Sequence, residues 1–295
     1  YTLAFAAKSY RFFLGQMVGK LGMRTLALGS DAAMGANRAG DVKAIENLAL
    51  ATGVFQLEVV DDRGPGETRV PANAQPVMPT GHGEPTDPLE GASKAERRAW
   101  SKKNQAKLVR VWSSTNVRYL LGQGRIKDAD TILGHPHAVE GIVVHGEERG
   151  RTIGFPTANL SDNVAGYLPV DGVYAGWLVD LGSKTAESDH AGAASDGISQ
   201  QFDSSSVDAR LADHSPYRWP AAISIGTKPT FNEATGMNDR VVEAYAITDD
   251  WLDLYDHQVR VEFTGFLRPQ IKFDSAQDLI DELKRNVEET KRITA

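Results

Sequence analysis

The stretch at 145–160 reads HGEERGRTIGFPTANL and combines glycines, arginines and neutral oxygen donors. Its glycines allow tight turns that expose backbone amides, and Arg149 and Arg151 place positive charge beside them. Such a loop can hold phosphate groups. Thr157 and Asn159 offer two neutral oxygens, a donor set suited to Mg²⁺ that keeps its other positions for water and nucleotide phosphates. From these letters alone, a glycine-rich hairpin whose PTAN turn caps itself is an equal alternative.

A carboxylate stands in the middle of a second informative stretch, residues 241–247. Strand alternation places Glu243 on the same face as Val241 and Tyr245. Because a lone carboxylate on such a face is costly to desolvate, Glu243 either pairs with a cation such as Arg268 or serves proton transfer. A substrate hydroxyl that attacks a phosphoryl group needs a carboxylate to orient it and accept its proton. Glu243 is the candidate for that role.

Composition restricts the chemistry and the partners. The 295 residues carry a formal net charge of −7, so a global affinity for nucleic acid or an anionic membrane is not expected. The absence of cysteine excludes disulfides, thiolate nucleophiles, zinc–thiolate sites and iron–sulfur clusters, and the histidines form no HExxH motif. The opening apolar run is too short for a signal peptide or a membrane span, so the expected location is cytoplasmic.

The beginning of the chain alternates helical and strand patterns. Periodicity predicts helices over 9–21 and 42–52, each followed by a strand, at 23–28 and 54–60. Short connections between alternating helices and strands favour a parallel sheet with helical crossovers. This end is therefore predicted to be part of a Rossmann-like α/β domain.

Residues 64–107 are predicted to form a flexible insertion. Six of the 13 prolines lie between residues 64 and 90, where branched apolar residues are almost absent, so this part cannot bury a core. The basic stretch at 94–107 offers only Trp100 for stacking, which favours a solvated helix over a nucleic-acid-binding patch.

After residue 138 the pattern changes to short β-branched and aromatic runs. These runs predict strands at 139–145, 173–181, 221–226, 241–248 and 259–267. They indicate a small antiparallel β-barrel, interrupted by a serine-rich disordered insertion at 182–218. Leu279, Leu283 and Val287 form an apolar stripe that predicts a C-terminal helix covering one side of the barrel.

Six blocks of residues together carry a family resemblance. They are GEERGRTIGFPTANL at 146–160, PVDGVYAGWL at 169–178, SIGTKPTF at 224–231, VVEAYAI at 241–247, LYDHQVRVEFTGFLRP at 254–269 and KFDSAQDL at 272–279. In order and spacing they resemble the riboflavin kinase domain of the bacterial bifunctional riboflavin kinase and FMN adenylyltransferase family. The resemblance implies a small barrel with a C-terminal helix. It also implies a transferase that moves the γ-phosphate of ATP to the ribityl 5′-hydroxyl of riboflavin.

The resemblance also implies roles for single residues. ATP would be held by Gly146, Arg149, Gly150, Arg151, Gly154, Phe155, Pro156, Thr157 and Asn159. Thr157 and Asn159 would hold Mg²⁺, Glu243 would be the catalytic base, and Arg268 would sit close to the flavin and the reacting groups. The implied partners are the small molecules riboflavin and ATP, with neither nucleic acid nor membrane.

The first half resembles the family's adenylyltransferase domain over the block WSSTNVRYLLGQGRIKDADTILGHPHAVEG at 112–141. Ser113, Ser114 and Thr115 would present hydroxyls and helix-start amides to a nucleotide phosphate, with Arg118 one turn further on. A plain helix N-cap beside a surface arginine is an equal alternative.

The first half of the sequence departs from the family pattern at two places. The stretch DAAMGANRAGD at 31–41 keeps Asp31, Gly35 and Asn37 of the family pattern but has Ala-Ala-Met where the family has aromatic and arginine side chains. The family's glycine-rich turn with paired histidines is absent from this sequence, since HPH at 135–137 lies elsewhere. We therefore expect a truncated or degenerate adenylyltransferase-like domain at 1–134 and a complete kinase domain at 135–295. The alternatives are a bifunctional enzyme that also makes FAD from FMN and ATP, and a flavin-binding module without catalysis.

Overall fold

The computed structural model of the protein describes residues 2–61, 64–146, 154–183, 207–227 and 240–295. The chain divides into two compact units, Tyr1–Pro65 and Gly66–Ala295. The predicted domain boundary at 134/135, which rests on the family resemblance, stays a prediction. Within the described ranges, no helix is both long and apolar enough to cross a membrane.

The first unit is a small α/β arrangement. Its elements are α1 Leu3–Ala6, α2 Tyr10–Leu21, β1 Thr25–Gly29, β2 Ala33–Met34, a 3₁₀ turn Ala36–Arg38, β3 Gly40–Asp41, α3 Val42–Thr52 and β4 Gln56–Val60. Strands β1 and β4 pair in parallel, and α3 lies between them in the chain as the predicted helical crossover. Ser9 and Asp41 cap α2 and α3, and the apolar faces of these helices bury Leu14, Ile45 and Ala49. The predicted α/β pattern is confirmed.

The second unit is built around a closed barrel. Its elements are β5 Glu67–Val70, α4 Lys94–Lys103, β6 Lys107–Arg110, α5 Ser114–Gly122, α6 Ile126–Leu133, β7 His137–Val144, β8 Ala158–Leu160, β9 Gly172–Ser183, α7 Val207–Leu211, β10 Arg218–Thr227, β11 Arg240–Ala246, β12 His257–Arg268 and α8 Ala276–Thr294. Six strands close in the order β10, β11, β8, β7, β12, β9, and all neighbours are antiparallel. This confirms the predicted antiparallel barrel with a C-terminal helix.

Alternation along the strands fills the barrel with apolar side chains. Val139, Leu178, Ile223, Val242 and Val261 are all buried in one core, to which α5 and α6 also contribute. Each predicted strand in this half corresponds to a barrel strand, and only β8 was missed. Its three residues begin two positions after Pro156 and are too few to show a period.

The segment predicted as an insertion at 64–107 has elements of its own. Strands β5 and β6 form an antiparallel pair that buries Val70, and α4 is an exposed helix with a capping box between Ser93 and Glu96. The solvated basic helix is thus as expected, while the flexibility of the segment stays a prediction. Of the predicted insertion at 182–218, residues 184–206 lie outside the described residues, and Arg210 of α7 pairs with Asp180 at 3.2 Å.

The C-terminal helix α8 buries a polar face more deeply than its apolar stripe. Leu279, Leu283 and Val287 are only half-buried. The residues of α8 that are fully buried are Glu282, Asn286 and Thr290. A buried carboxylate is tolerated at this place because Arg268 of β12 lies within 3.0 Å of Glu282.

Candidate functional site

The described ends of the predicted phosphate loop meet at one cavity. Residues 147–153, which include Arg149, Gly150 and Arg151, lie outside the described residues. The remaining predicted residues Gly146, Gly154, Pro156, Thr157 and Asn159 line a cavity of about 310 Å³. Phe155 packs edge-on against Tyr245, with ring centroids 5.2 Å apart. Residues from β11 and from 248–255 complete the wall of this first cavity.

Asn159 is held in one orientation by its neighbours. It is buried on β8, and its Nδ2 donates to the Thr157 carbonyl at 3.1 Å and to the Thr157 hydroxyl at 3.4 Å. Because the amide nitrogen faces Thr157, the amide oxygen faces the opposite way. A Cβ on Gly146 would lie 2.5 Å from Cγ of Asn159, so glycine leaves the space in which this amide lies.

Glu243 lies directly opposite Asn159 in the pairing of β11 with β8. On its other side it pairs with Ser224 of β10. Val242 and Ala244 point into the barrel core, so Glu243 lies on the other face of β11, as alternation predicts. Its side chain is half-buried and lines a second cavity, of about 390 Å³.

The second cavity has a polar frame that sequence reasoning did not identify. The Asp171 carboxylate accepts from Nε of Arg240 at 2.7 Å and from the Thr227 hydroxyl at 3.2 Å. Gln270 donates through Nε2 to the Ser224 hydroxyl and the Ile225 carbonyl, both at 2.9 Å. Asp171 and Gln270 lie in or beside the conspicuous blocks at 169–178 and 254–269, which is the only signal that could have singled them out.

Arg268 is part of a buried cluster with α8. Its Nε lies 3.0 Å from Oε1 of Glu282 and 3.4 Å from Oδ1 of Asn286, and its side chain is 4% exposed. Burial lowers the pKa of Arg268 and the Glu282 carboxylate raises it; the guanidinium stays a cation at neutral pH. The structure thus gives Arg268 a carboxylate partner in Glu282, and its predicted contact with the reacting groups stays a prediction.

The adenylyltransferase-like residues of the second unit form a capped helix start. Ser113 caps α5 by accepting from the Asn116 backbone at 3.2 Å, and Arg118 donates to the Ser114 hydroxyl at 3.2 Å. Thr115 follows in the first turn. These contacts are the ones expected of a plain helix N-cap beside an arginine. A role of these residues in phosphate binding stays a prediction.

The adenylyltransferase-like residues of the first unit lie in the turn between β1 and β3. Gly35 has a φ of 75°, and a Cβ there would lie 2.3 Å from the Tyr10 nitrogen, so the turn requires glycine. Asn37 adopts a φ of 56°, and Asp31 lies at the start of the turn. Their predicted binding role stays a prediction.

Replacement of Gly146 by Ala is expected to lower kcat for the phosphate transfer that the family resemblance implies by about tenfold or more. The reason is that the new methyl group displaces the Asn159 amide. Gly19→Ala, in open space on helix α2, is the matched control and should leave turnover unchanged. In an Asn159→Ala background the Gly146 substitution should have little further effect. If Gly146→Ala lowered turnover by the same factor in the wild type and in the Asn159→Ala variant, the effect of Gly146 would not depend on Asn159.

Comparisons with known proteins identify relatives of this chain. A family model described as riboflavin kinase, Flavokinase, matches residues 133–294. The bifunctional riboflavin kinase/FMN adenylyltransferase of Listeria monocytogenes is 30% identical over 62% of this chain and 46% of its own length. The Escherichia coli protein of the same name is 34% identical over 61% of this chain and 43% of its own length. The chain thus spans about half the length of these curated relatives.

One solved structure resembles nearly the whole chain. It is titled a macrolide-efflux protein from Streptococcus pneumoniae, and it superposes with a TM-score of 0.59 at 22% identity. The match covers 98% of this chain and 67% of that one. At this identity the likeness shows a shared fold.

Proposed function

The chain belongs to the riboflavin kinase family, and on this premise we propose that its barrel transfers the γ-phosphate of ATP to the ribityl 5′-hydroxyl of riboflavin, producing ADP and FMN. One observation carries the proposal. Asn159 lines the first cavity, Glu243 lines the second, and the two residues are directly opposite on paired strands. Directly opposite residues in an antiparallel pair have Cβ atoms about 5 Å apart. A phosphate donor in one cavity would therefore meet an acceptor hydroxyl in the other.

The first cavity suits the nucleotide. Its floor is the Pro156–Thr157 turn and β8, and its wall includes Tyr255, whose ring stacks on His145 at 3.8 Å between centroids. Aromatic and apolar walls suit a base, while neutral oxygens and glycine amides suit phosphates. We assign the Thr157 end to the phosphates because Asn159, which contacts Thr157, lies directly opposite Glu243 of the second cavity.

The donor set fits a divalent metal that is shared with the nucleotide. Within the described ranges, no group of three or more His, Cys, Asp or Glu side chains could hold a metal ion alone. The Thr157 hydroxyl and the Asn159 amide oxygen are neutral ligands of the kind that Mg²⁺ uses together with water and phosphate oxygens. To bind one ion together with Thr157, the Asn159 amide would turn so that its oxygen replaces its nitrogen beside the Thr157 hydroxyl. When bound, Mg²⁺ would neutralise phosphate charge during transfer. The magnesium assignment is part of the proposal.

The second cavity suits riboflavin, and Glu243 is the proposed general base. The Glu243 carboxylate would accept a hydrogen bond from the 5′-hydroxyl, orient its oxygen toward the γ-phosphate, and take up the proton as the new P–O bond forms. Asp171, Thr227 and Gln270 form a hydrogen-bonded frame beside it, which would hold the polyhydroxyl chain in place. Catalysis would thus rest mainly on positioning.

The direct test is to incubate the purified chain with riboflavin, ATP and a magnesium salt and to separate the flavins by chromatography. We expect FMN and ADP in equal amounts, and loss of FMN formation when EDTA removes the metal. Folded protein that forms no FMN would overturn the proposal. FAD formation in the same assay with FMN and ATP would support the bifunctional alternative, which the names of the curated relatives keep open. The cytoplasmic location and the absence of a nucleic-acid partner stay predictions from the sequence.

A further inference from the structure

A proline-rich strap, residues 75–84, runs along the second unit from the end of α5 to the start of α6. It belongs to the segment at 64–107, which carries none of the six kinase-like blocks. The family resemblance therefore assigns it no role in the kinase reaction. Its path nevertheless brings one of its side chains to the second cavity.

The strap is fixed at its first end by backbone contacts with α5. The Val77 backbone nitrogen donates to the Gly122 carbonyl at 2.8 Å, and Gln123 donates to the Gln75 carbonyl at 3.3 Å. Pro79 packs so closely on Gly124 that a Cβ there would lie 2.9 Å from the proline ring. Two prolines also restrict the backbone between these contacts.

The second end of the strap is fixed to the barrel and to α6. The Gly83 nitrogen donates to the Leu267 carbonyl at 2.7 Å, and Glu84 accepts from the Lys127 backbone at 2.5 Å. His82 lies 3.6 Å from the Glu282 carboxylate. With both ends held, the residues between them occupy a defined place over the barrel.

Met78 is the residue of the strap that lines the second cavity. Most other side chains around this cavity are polar, including Asp171, Ser224, Glu243 and Gln270, and Val241 is the other large apolar one. The Met78 side chain is 44% exposed. A polar cavity with one flexible, polarizable apolar side chain at its edge matches a ligand that joins a polyhydroxyl chain to a flat aromatic ring.

We propose that Met78 is a substrate-binding residue that packs against the flavin ring while the ribityl chain reaches Glu243. This inference rests on the proposed riboflavin kinase function and adds to it a contact from outside the kinase-like blocks. Methionine makes favourable sulfur–aromatic contacts, and covering its exposed surface adds hydrophobic stabilisation to the bound state. Met78 thus would determine the affinity for the flavin and have no part in the chemical step.

The test compares Met78→Ala with Val77→Ala, its neighbour, which is 57% exposed and does not line the cavity. We expect Met78→Ala to raise the KM for riboflavin on the order of tenfold, while kcat and the KM for ATP change by less than about twofold. Val77→Ala should match the wild type, and Met78→Leu should restore most of the affinity. Quenching of riboflavin fluorescence measures the Kd for riboflavin and so compares the affinities of the same variants without turnover.

The outcomes separate this inference from the proposed function. Wild-type protein that forms FMN, with equal riboflavin KM in the Met78→Ala and Val77→Ala variants, would overturn the role of Met78 alone. Wild-type protein that neither binds riboflavin nor forms FMN would overturn both. A loss of kcat with unchanged riboflavin affinity in Met78→Ala would also contradict a binding role.

Discussion

Replacement of Glu243 by Gln is expected to lower kcat by about two orders of magnitude or more, while the Kd for riboflavin stays within a few-fold of the wild type. Glutamine has the same shape as glutamate and can still bond to the substrate hydroxyl, but it cannot take up the proton. Position 243 lies between Asn159 and Ser224 on the paired strands, and the substitution leaves these backbone pairings in place. Steady-state FMN formation at saturating riboflavin and ATP measures kcat, and fluorescence quenching measures the Kd.

A matched control for this prediction is Glu140→Gln. Glu140 also lies on a barrel strand, where its carboxylate accepts from Arg260 at 3.2 Å and is 34% exposed. Loss of such a surface ion pair costs at most about 1 kcal/mol of stability. Because Glu140 lines neither cavity, kcat should not change. If Glu243→Gln kept the wild-type kcat, the proton would have to leave by another route and Glu243 would not be the base.

The two residues that carry the proposed function were both identifiable from the sequence, but their relation was not. Asn159 stands out in a glycine- and arginine-rich block, and Glu243 stands out as a carboxylate in a strand pattern. Their direct pairing depends on β8, a strand of three residues that is too short to show alternation. The polar frame of Asp171 and Gln270 depends in the same way on contacts between residues distant in sequence.

The buried polar face of α8 shows a second limit of sequence reasoning. Glu282, Asn286 and Thr290 recur at a spacing of four, which on a helix is the pattern of a solvated face. Arg268, from a different element, pairs with Glu282 and donates to Asn286, which compensates for the burial of these two polar groups. The family resemblance places Arg268 beside the reacting groups, which stays a prediction, but nothing local in the sequence indicates that a later helix supplies a carboxylate for it.

Replacement of Glu282 by Ala is expected to lower the free energy of unfolding by about 3 kcal/mol, because it leaves the buried Arg268 cation without its carboxylate. Urea denaturation at neutral pH measures this as a lower midpoint with an unchanged slope. Glu288→Ala on the same helix is the control, since its ion pair with Lys291 is exposed and worth little. A Glu282→Ala midpoint equal to that of the control would mean that water or Asn286 satisfies Arg268.

The double variant Arg268→Met/Glu282→Leu separates the stabilising role of Arg268 from its predicted role in catalysis. Replacing both members of a buried ion pair by apolar residues of similar volume is often neutral for stability, so the double variant should regain most of what Glu282→Ala loses. If Arg268 also contacts the reacting groups, the double variant will have a lower kcat than the wild type although its stability has returned. If Arg268 only fixes α8 to the barrel, the double variant will have the kcat of the wild type.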